Sequence, residues 1–380
     1  MYRVPGTDVF LVSRWELVHR VLSNQEDYSA NLTGVLIRGD DGEPELFDLS
    51  QFGGTVDAIA NADEPSHAIH RRLVMPQLTA RRVGELEDAV RDWAQRGVQA
   101  LLDHGGGDCI GDLANAIPVM VTARLIGLPV ADVERLLDWA FSGGEILAGT
   151  HDLATMADIG LATREMSTYL SEHLGAALAR SPEEHRDILD ELAAAVRDNQ
   201  ITEREAIGIL VVLVGAAGES TSSLIGSGIR LLAESPDLQS KLRVDPELLP
   251  RFIEEVVRLE APFKGHYRVV LNDTSLGGVQ LPAQSRVFLL WAAANRDPTV
   301  FVNPQSLDLD RADGGEHLGF GHGIHFCIGA RLARMEARIV FEQLLAATGS
   351  FDVASSPRHL NSIFVRRLPE LTLRVSPPQS

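Results

Sequence analysis

Residues Phe320 to Arg334 read FGHGIHFCIGARLAR. One cysteine, Cys327, stands among three glycines and two histidines, directly before a strongly helical run. The only other cysteine, Cys109, lies more than two hundred residues upstream. A cysteine at a helix start faces unpaired backbone N–H groups and the positive end of the helix dipole. Both favour the thiolate and predict a lowered pKa. Gly321 and Gly323 permit positive φ and tight turning. Gly329 gives a large group room to approach the backbone. Three chemistries fit these residues. The first is a buried apolar cysteine beside a turn. The second is a zinc or iron site from His322, His325 and Cys327, for which no fourth ligand is evident. The third is a thiolate bound to haem iron.

The chain has 380 residues and is 45% hydrophobic, enough to bury a large core. Two distant cysteines argue against a disulfide scaffold and for a reducing compartment. The formal charge of −19 disfavours nucleic acid or an anionic membrane as a partner. The start, MYRVPGTDVFLVSRWELV, lacks the pattern of a signal peptide. The apolar stretch Ile207–Gly218 is too short to span a bilayer before Glu219 interrupts it. These features predict a cytoplasmic protein with no membrane partner.

Alternation over the first fifteen residues predicts short strands, followed by a helix at RWELVHRVLSN. Tyr28 to Asp63 shows no clear period and reads as a long irregular connection, often a functional feature. From Glu64 to about Leu210 the helical period dominates, with amphipathic segments near Val130–Leu147 and Met156–Arg180. Thr202 and Glu205 form a capping-box pattern that opens a helix of over thirty residues. Gly215, Gly218, Ser220 and Thr221 weaken its middle. PELLPRFIEEVVRLEAP predicts a helix stopped at Pro262, followed by strands at YRVVLND and SRVFLLWAAAN. The helix after Cys327 ends near Gly349, and IFVRRLPELTLRVS reads as a terminal hairpin. The balance is mainly α with small β-sheets, and no boundary divides residues 1–380.

FGHGIHFCIGARLA resembles the cysteine-ligand loop of the cytochrome P450 family, F-G-x-G-x-H-x-C-x-G. Phe320, Gly321, Gly323, His325, Cys327 and Gly329 all match. The resemblance implies haem b with Cys327 as the axial thiolate, which favours O–O cleavage, and Phe320 packed beside the sulfur. It implies a triangular-prism helical fold, with the haem between the long helix and the cysteine-loop helix. EEVVR supplies E-x-x-R at Glu255 and Arg258, with Arg311 as a third member of a buried pairing. EPSHAIHRR resembles the family's H-x-x-x-R segment. A buried carboxylate needs cationic or hydrogen-bonding partners. His67, Arg71, Arg268 and His325 are therefore the expected partners of the haem propionates, while His70 and Arg72 face elsewhere. Relative to the family, the N-terminus begins about thirty residues late.

The family often writes A-G-x-[DE]-T-[TS] on the oxygen side, where this chain has GAAGESTSS. Alignment on Glu219 puts Ala217 at the usual glycine and Ser220 at the usual threonine, with Thr221 next. A rival register takes Gly218 as the glycine and Thr221 as the alcohol, and loses the acid. An alcohol relays a proton through an ordered water, and an acid refills the relay. A helix opened locally by small residues leaves room for that water. Serine lacks the methyl that fixes threonine's rotamer. Alternatively, Ser220 and Thr221 merely bond back to carbonyls one turn earlier.

The resemblance places the substrate pocket at Leu32–Ile59, Leu213–Ala217, the stretch after Pro262 and Ile363–Val365. Val214, Phe263, Ile363 and Phe364 line it and suit a hydrophobic small molecule. Lys264, next to Phe263, points outward by strand alternation. Arg331, Arg334 and Arg338 repeat at helical spacing after Cys327. They form either a patch that steers an acidic ferredoxin or a set of structural ion pairs. The implied function is a haem-thiolate monooxygenase fed by ferredoxin and ferredoxin reductase. Two alternatives are a peroxide-driven or redox-neutral enzyme on the same site, and a non-catalytic haem-based binder.

Overall fold

Capping chemistry starts the longest helix, Glu203–Ala233. Thr202 Oγ1 accepts from the Glu205 N–H at 3.2 Å, and the Glu205 carboxylate accepts from the Thr202 N–H at 2.7 Å. Two donors that a helix start leaves unpaired are thereby satisfied. The helix runs unbroken for 31 residues. The expected local opening around Gly215–Thr221 is absent, because small residues weaken a ladder without breaking it when neighbours pack both sides.

The computed structural model describes residues 1–52, 57–180 and 187–378. Its helices are α1 (Trp15–Leu22), α2 (Ser66–Val74), α3 (Ala80–Gly84), α4 (Glu87–Asp103), α5 (Ala116–Ile126), α6 (Val133–Glu145) and α7 (Leu153–Leu178). They continue with α8 (Ile188–Arg197), α9 (Glu203–Ala233), α10 (Pro236–Val244), α11 (Leu249–Glu260), α12 (Trp291–Ala294) and α13 (Ala330–Ala347). α9 crosses the centre and packs on α5, α6, α7, α11 and α13. Its length and composition would suffice for a membrane span, but it serves here as the buried axis of the main core. Gly228 lets α13 approach closely, since a Cβ there would lie 2.2 Å from the Phe341 ring.

The strands are β1 (Tyr2–Arg3), β2 (Val9–Val12), β3 (Tyr28–Ser29), β4 (Gly34–Arg38), β5 (Pro44–Asp48) and β6 (Gly106–Asp108). Then come β7 (His266–Val270), β8 (Thr274–Leu276), β9 (Val279–Leu281), β10 (Arg286–Leu289), β11 (Ser350–Val353) and β12 (Thr372–Ser376). A five-stranded sheet takes the order β1-β2-β10-β7-β3, and sits against the helical body over its own apolar clusters. Two expectations need correction. Tyr28–Asp63 contains the hairpin β4/β5, whose pairs Val35 with Phe47 and Leu36 with Leu46 place apolar side chains on both faces, so its short strands show no alternation in the sequence. The part of that segment at 53–56 lies outside the described residues. The C-terminal segment makes no local hairpin. β12 pairs instead with β11 and with β6 across the glycines that end α4, so its partner is distant in the chain.

Glu255, Arg258 and Arg311 meet as expected. Arg258 is fully buried and donates to Glu255 through Nε at 2.6 Å and Nη2 at 2.8 Å. It also donates to the carbonyls of Asn295, Pro304 and Ser306. Arg311 Nε lies 3.0 Å from Glu255 Oε1, and the Asp308 N–H donates to Glu255 Oε2 at 2.9 Å. One carboxylate thus ties α11 to the long loop before Cys327. Despite burial, these partners hold the Glu255 carboxyl below its usual range. Arg258→Met would leave Glu255 buried beside only part of its counter-charge, costing about 3–5 kcal/mol. Chemical denaturation of the haem-loaded protein checks this, with a lowered midpoint expected.

Candidate active site

Cys327 sits where a tight loop enters α13. Gly321 and Gly323 adopt φ of +73° and +69°, the left-handed region that favours glycine. A Cβ on Gly323 would also lie 2.8 Å from Leu22 O. The Cys327 N–H donates to Phe320 O at 2.8 Å, and Arg71 Nη1 donates to Phe326 O at 2.9 Å. The Arg334 guanidinium lies 4.2 Å from the centre of the Phe320 ring. Gly329 is the residue that caps α13 and has an ordinary φ of −88°. Its freedom is not conformational. A Cβ there would sit 3.9 Å from Cys327 Sγ.

The sulfur faces a cavity of about 1400 Å³ that runs beneath α9. Burial pushes the Cys327 thiol up, opposed by the Gly329 N–H, Arg71, Arg334 and the Ala330 N–H. The downward pull expected of the helix start is present in the Gly329 and Ala330 N–H groups, but desolvation outweighs it.

Five basic groups converge on one edge of that cavity: His67, Arg71, His266, Arg268 and His325. The His67 and His325 rings lie 4.3 Å apart. Burial, then Arg268, His67, His266 and Arg71, push His325 down to about 3. Burial and Arg268 push His266 down to about 4. Arg268 itself falls to about 10, through burial. Two arginines with histidines that stay neutral until an anion arrives form a receptor for carboxylates, through charge from Arg71 and Arg268 and hydrogen bonding from the imidazoles. Two propionates beside a cysteine-bound iron fit this donor set. His266 was not singled out from sequence, although it shares a strand face with Arg268 two residues away. His70 turns away, accepting from the Ile59 N–H at 3.3 Å, and Arg72 is exposed.

On the opposite side, α9 presents Ala216, Ala217, Glu219, Ser220 and Thr221 to the cavity. Gly218 points the other way. A Cβ on it would meet Ala140 at 2.8 Å and Val119 at 3.1 Å, so this glycine serves packing with α5 and α6. Ala217, not Gly218, is therefore the small residue that faces the cavity. Ser220 Oγ donates to Ala216 O at 2.6 Å, the back-bond weighed from sequence. Glu219 is 1% exposed, and burial pushes its carboxyl up to about 8. Arg367 opposes that shift, and Glu145 adds to it.

Two substrate-pocket residues are misplaced by the sequence. Val214 lies in the main core, on the face of α9 turned from the cavity. Ile363 packs on Gly149, and its N–H donates to Ala148 O at 2.8 Å. Phe263 and Phe364 do line the cavity, stacked 4.4 Å apart. Lys264 is not free in solvent: its Nζ donates to Ser362 O. The basic repeat after Cys327 is mostly structural. Arg334 forms a double hydrogen bond to Glu254 at 2.6 and 2.7 Å, and Arg338 pairs with Glu342 and Glu87. Burial raises the Glu254 carboxyl, but Arg334 and His317 override it and hold it at about 2.

The cytochrome P450 family model matches residues 165–359. "Cytochrome P450 144" of Mycobacterium tuberculosis is 40% identical over 375 residues, 99% of this chain and 86% of the relative. The chain belongs to the cytochrome P450 family. "Cyclomarin C epoxidase CymV" of Salinispora arenicola is 31% identical to this P450, covering 92% of this chain and 86% of the relative. The structure of CYP109E1 from Bacillus megaterium in complex with testosterone superposes with a TM-score of 0.84 at 28% identity, over 97% of this chain and 92% of that one. The family binds haem through a cysteine thiolate and catalyses monooxygenation. Among the described cysteines, Cys327 faces the cavity, whereas Cys109 is fully buried in the core. Removing one charged hydrogen bond to a propionate costs about 1.5–3 kcal/mol. Arg268→Ala is therefore expected to weaken haem retention by about tenfold to a hundredfold, read as the rate and extent of haem transfer to apomyoglobin.

Proposed function

We propose that this P450 takes two electrons from a ferredoxin and its reductase and oxygenates a hydrophobic small molecule, by hydroxylation or epoxidation. The observation that carries this reading is one mainly apolar cavity with Cys327 on its floor and Glu219 and Ser220 on the facing wall of α9. Bound haem supplies the redox chemistry that places one atom of O2 on the substrate.

The protein's residues do the rest. Phe263 and Phe364 give the substrate an apolar wall. Ser220 has committed its hydroxyl proton to Ala216 O, which turns its lone pairs toward the cavity as an acceptor for a water. Glu219 carries a proton at neutral pH and donates it from its carboxyl. Thr221 stands one residue further on, 5% exposed. His67, Arg71, Arg268 and His325 hold the propionates. Arg331, exposed on the first turn of α13 after Cys327, marks the face an acidic ferredoxin would approach. Residues 1–380 act as one unit in the cytoplasm.

Because burial raises Glu219 to about 8, the acid form prevails below that pH and is lost as pH rises through it. Product formed per electron consumed should fall above about pH 8. Glu219→Gln should lower the yield at neutral pH and flatten this profile. Turnover of a panel of hydrophobic compounds with ferredoxin, reductase and a nicotinamide donor tests the whole reading. Equal or better turnover with hydrogen peroxide alone would support the peroxide-driven alternative. Binding without oxidised product under either condition would contradict both.

A further inference from the structure

Glu219 is held by elements far from it in the chain. Its Oε1 lies 3.4 Å from Arg367 Nε, and Arg367 Nη2 lies 3.8 Å from Glu145 Oε1. Arg367 also lies over the Phe141 ring at 3.7 Å. Glu145 is the last residue of α6, and its Oε2 meets His151 Nε2 at 2.5 Å. Gly144 makes the approach possible, since a Cβ there would sit 1.7 Å from Glu219 Oε2. One guanidinium therefore serves two carboxylates, one on the central helix and one at the end of α6.

The chain directly after Glu145 is the roof of the cavity. Ile146 and Leu147 line it. The roof turns back on α6 through Leu147 N–H to Gly144 O and Ala148 N–H to Glu145 O, packs Ile146 and Leu147 in an apolar cluster, and is tied to other segments by three hydrogen bonds: Ile363 N–H to Ala148 O at 2.8 Å, Thr150 Oγ1 to Asn361 O at 3.2 Å, and Arg38 N–H to His151 O at 2.9 Å. A substrate that packs on Ile146 and Leu147 fixes Glu145 as well. We propose that Glu145 is a positioning residue that couples seating of this roof over substrate to the proton held on Glu219, acting through the Arg367 they share.

The sign follows from elementary electrostatics. Arg367 favours the ionised form of Glu219, and Glu145 disfavours it. With the roof seated, Glu145 engages Arg367 and Glu219 keeps its proton. When the roof lifts, Glu145 leaves, Arg367 acts on Glu219 alone, and the acid ionises. Arg367 and Glu145 are the charged groups that act on Glu219, and His151 is the titratable group on the outer side of Glu145. Only its consequence in turnover rests on Glu219 being the proton donor. The coupling itself is a separate property.

Infrared titration of the haem-loaded full chain tests it, with the Glu219 band assigned by its loss in Glu219→Gln. Glu145→Gln should move the midpoint below its wild-type value, Arg367→Gln should move it above, and Arg367→Lys should restore it toward wild type. Coupling is reciprocal, so protonated Glu219 must favour the seated roof. After correction for intrinsic rates, amide exchange at 146–152 should quicken as pH passes the Glu219 midpoint in wild type and show no such step in Glu219→Gln. Shifts of the same sign in Glu145→Gln and Arg367→Gln, or the same exchange profile in wild type and Glu219→Gln, would overturn the proposal. If the shifts appear while Glu219→Gln keeps full oxygenation yield, the coupling stands and the donor role of Glu219 falls.

Discussion

The structure depends on keeping one sulfur at the floor of a cavity that disfavours its charge. Desolvation works against the charged form of Cys327. The loop counters with backbone N–H groups from Gly329 and Ala330 and with the nearby charges of Arg71 and Arg334. These need fixed places. Arg334 is anchored on Glu254 of α11, and the next residue, Glu255, anchors Arg258 and Arg311. One turn of α11 therefore holds both the helix behind the cysteine and the loop before it. A bound haem would supply the remaining positive charge, and thiolate formation would then accompany cofactor binding.

The same principle, charge made expensive by burial, organises the rest of the cavity. At the propionate edge, five basic groups are crowded until His325 and His266 fall far below the usual histidine range. Such a cluster is poised to bind anions. On the oxygen side burial works in the opposite sense and keeps Glu219 protonated. The cavity thus holds two arginines with neutral histidines at one edge and a neutral acid on its α9 wall, a separation that suits a bound dianion at one side and proton donation at the other.

Much of this was legible in the sequence because it is local. The cysteine loop, the capping box of α9, the E-x-x-R pair and the H-x-x-x-R segment each lie within one turn or loop, where spacing alone fixes the geometry. Val214 was misread because the helical face was set by the size of its neighbours rather than by hydrophobicity: Ala217 and Ser220 face the cavity while valine fills the core. Ile363 was misread because its backbone follows Ala148 across the fold. Arg334 and Arg338 read equally well as a docking patch or as ion pairs, and only the position of Glu254, Glu87 and Glu342 decides between them. Arg367 and Glu145 left no trace at all, since a contact between chain positions so far apart has no local pattern.

The most direct test is the optical spectrum of the reduced, carbon-monoxide-bound protein, recorded for wild type and for Cys327→Ser. The account predicts the red-shifted Soret band of a thiolate-bound haem in wild type and its loss in the variant, with haem still held at the basic edge. A red-shifted band that survived in Cys327→Ser, or its absence from folded, haem-loaded wild type, would contradict the assignment of this sulfur.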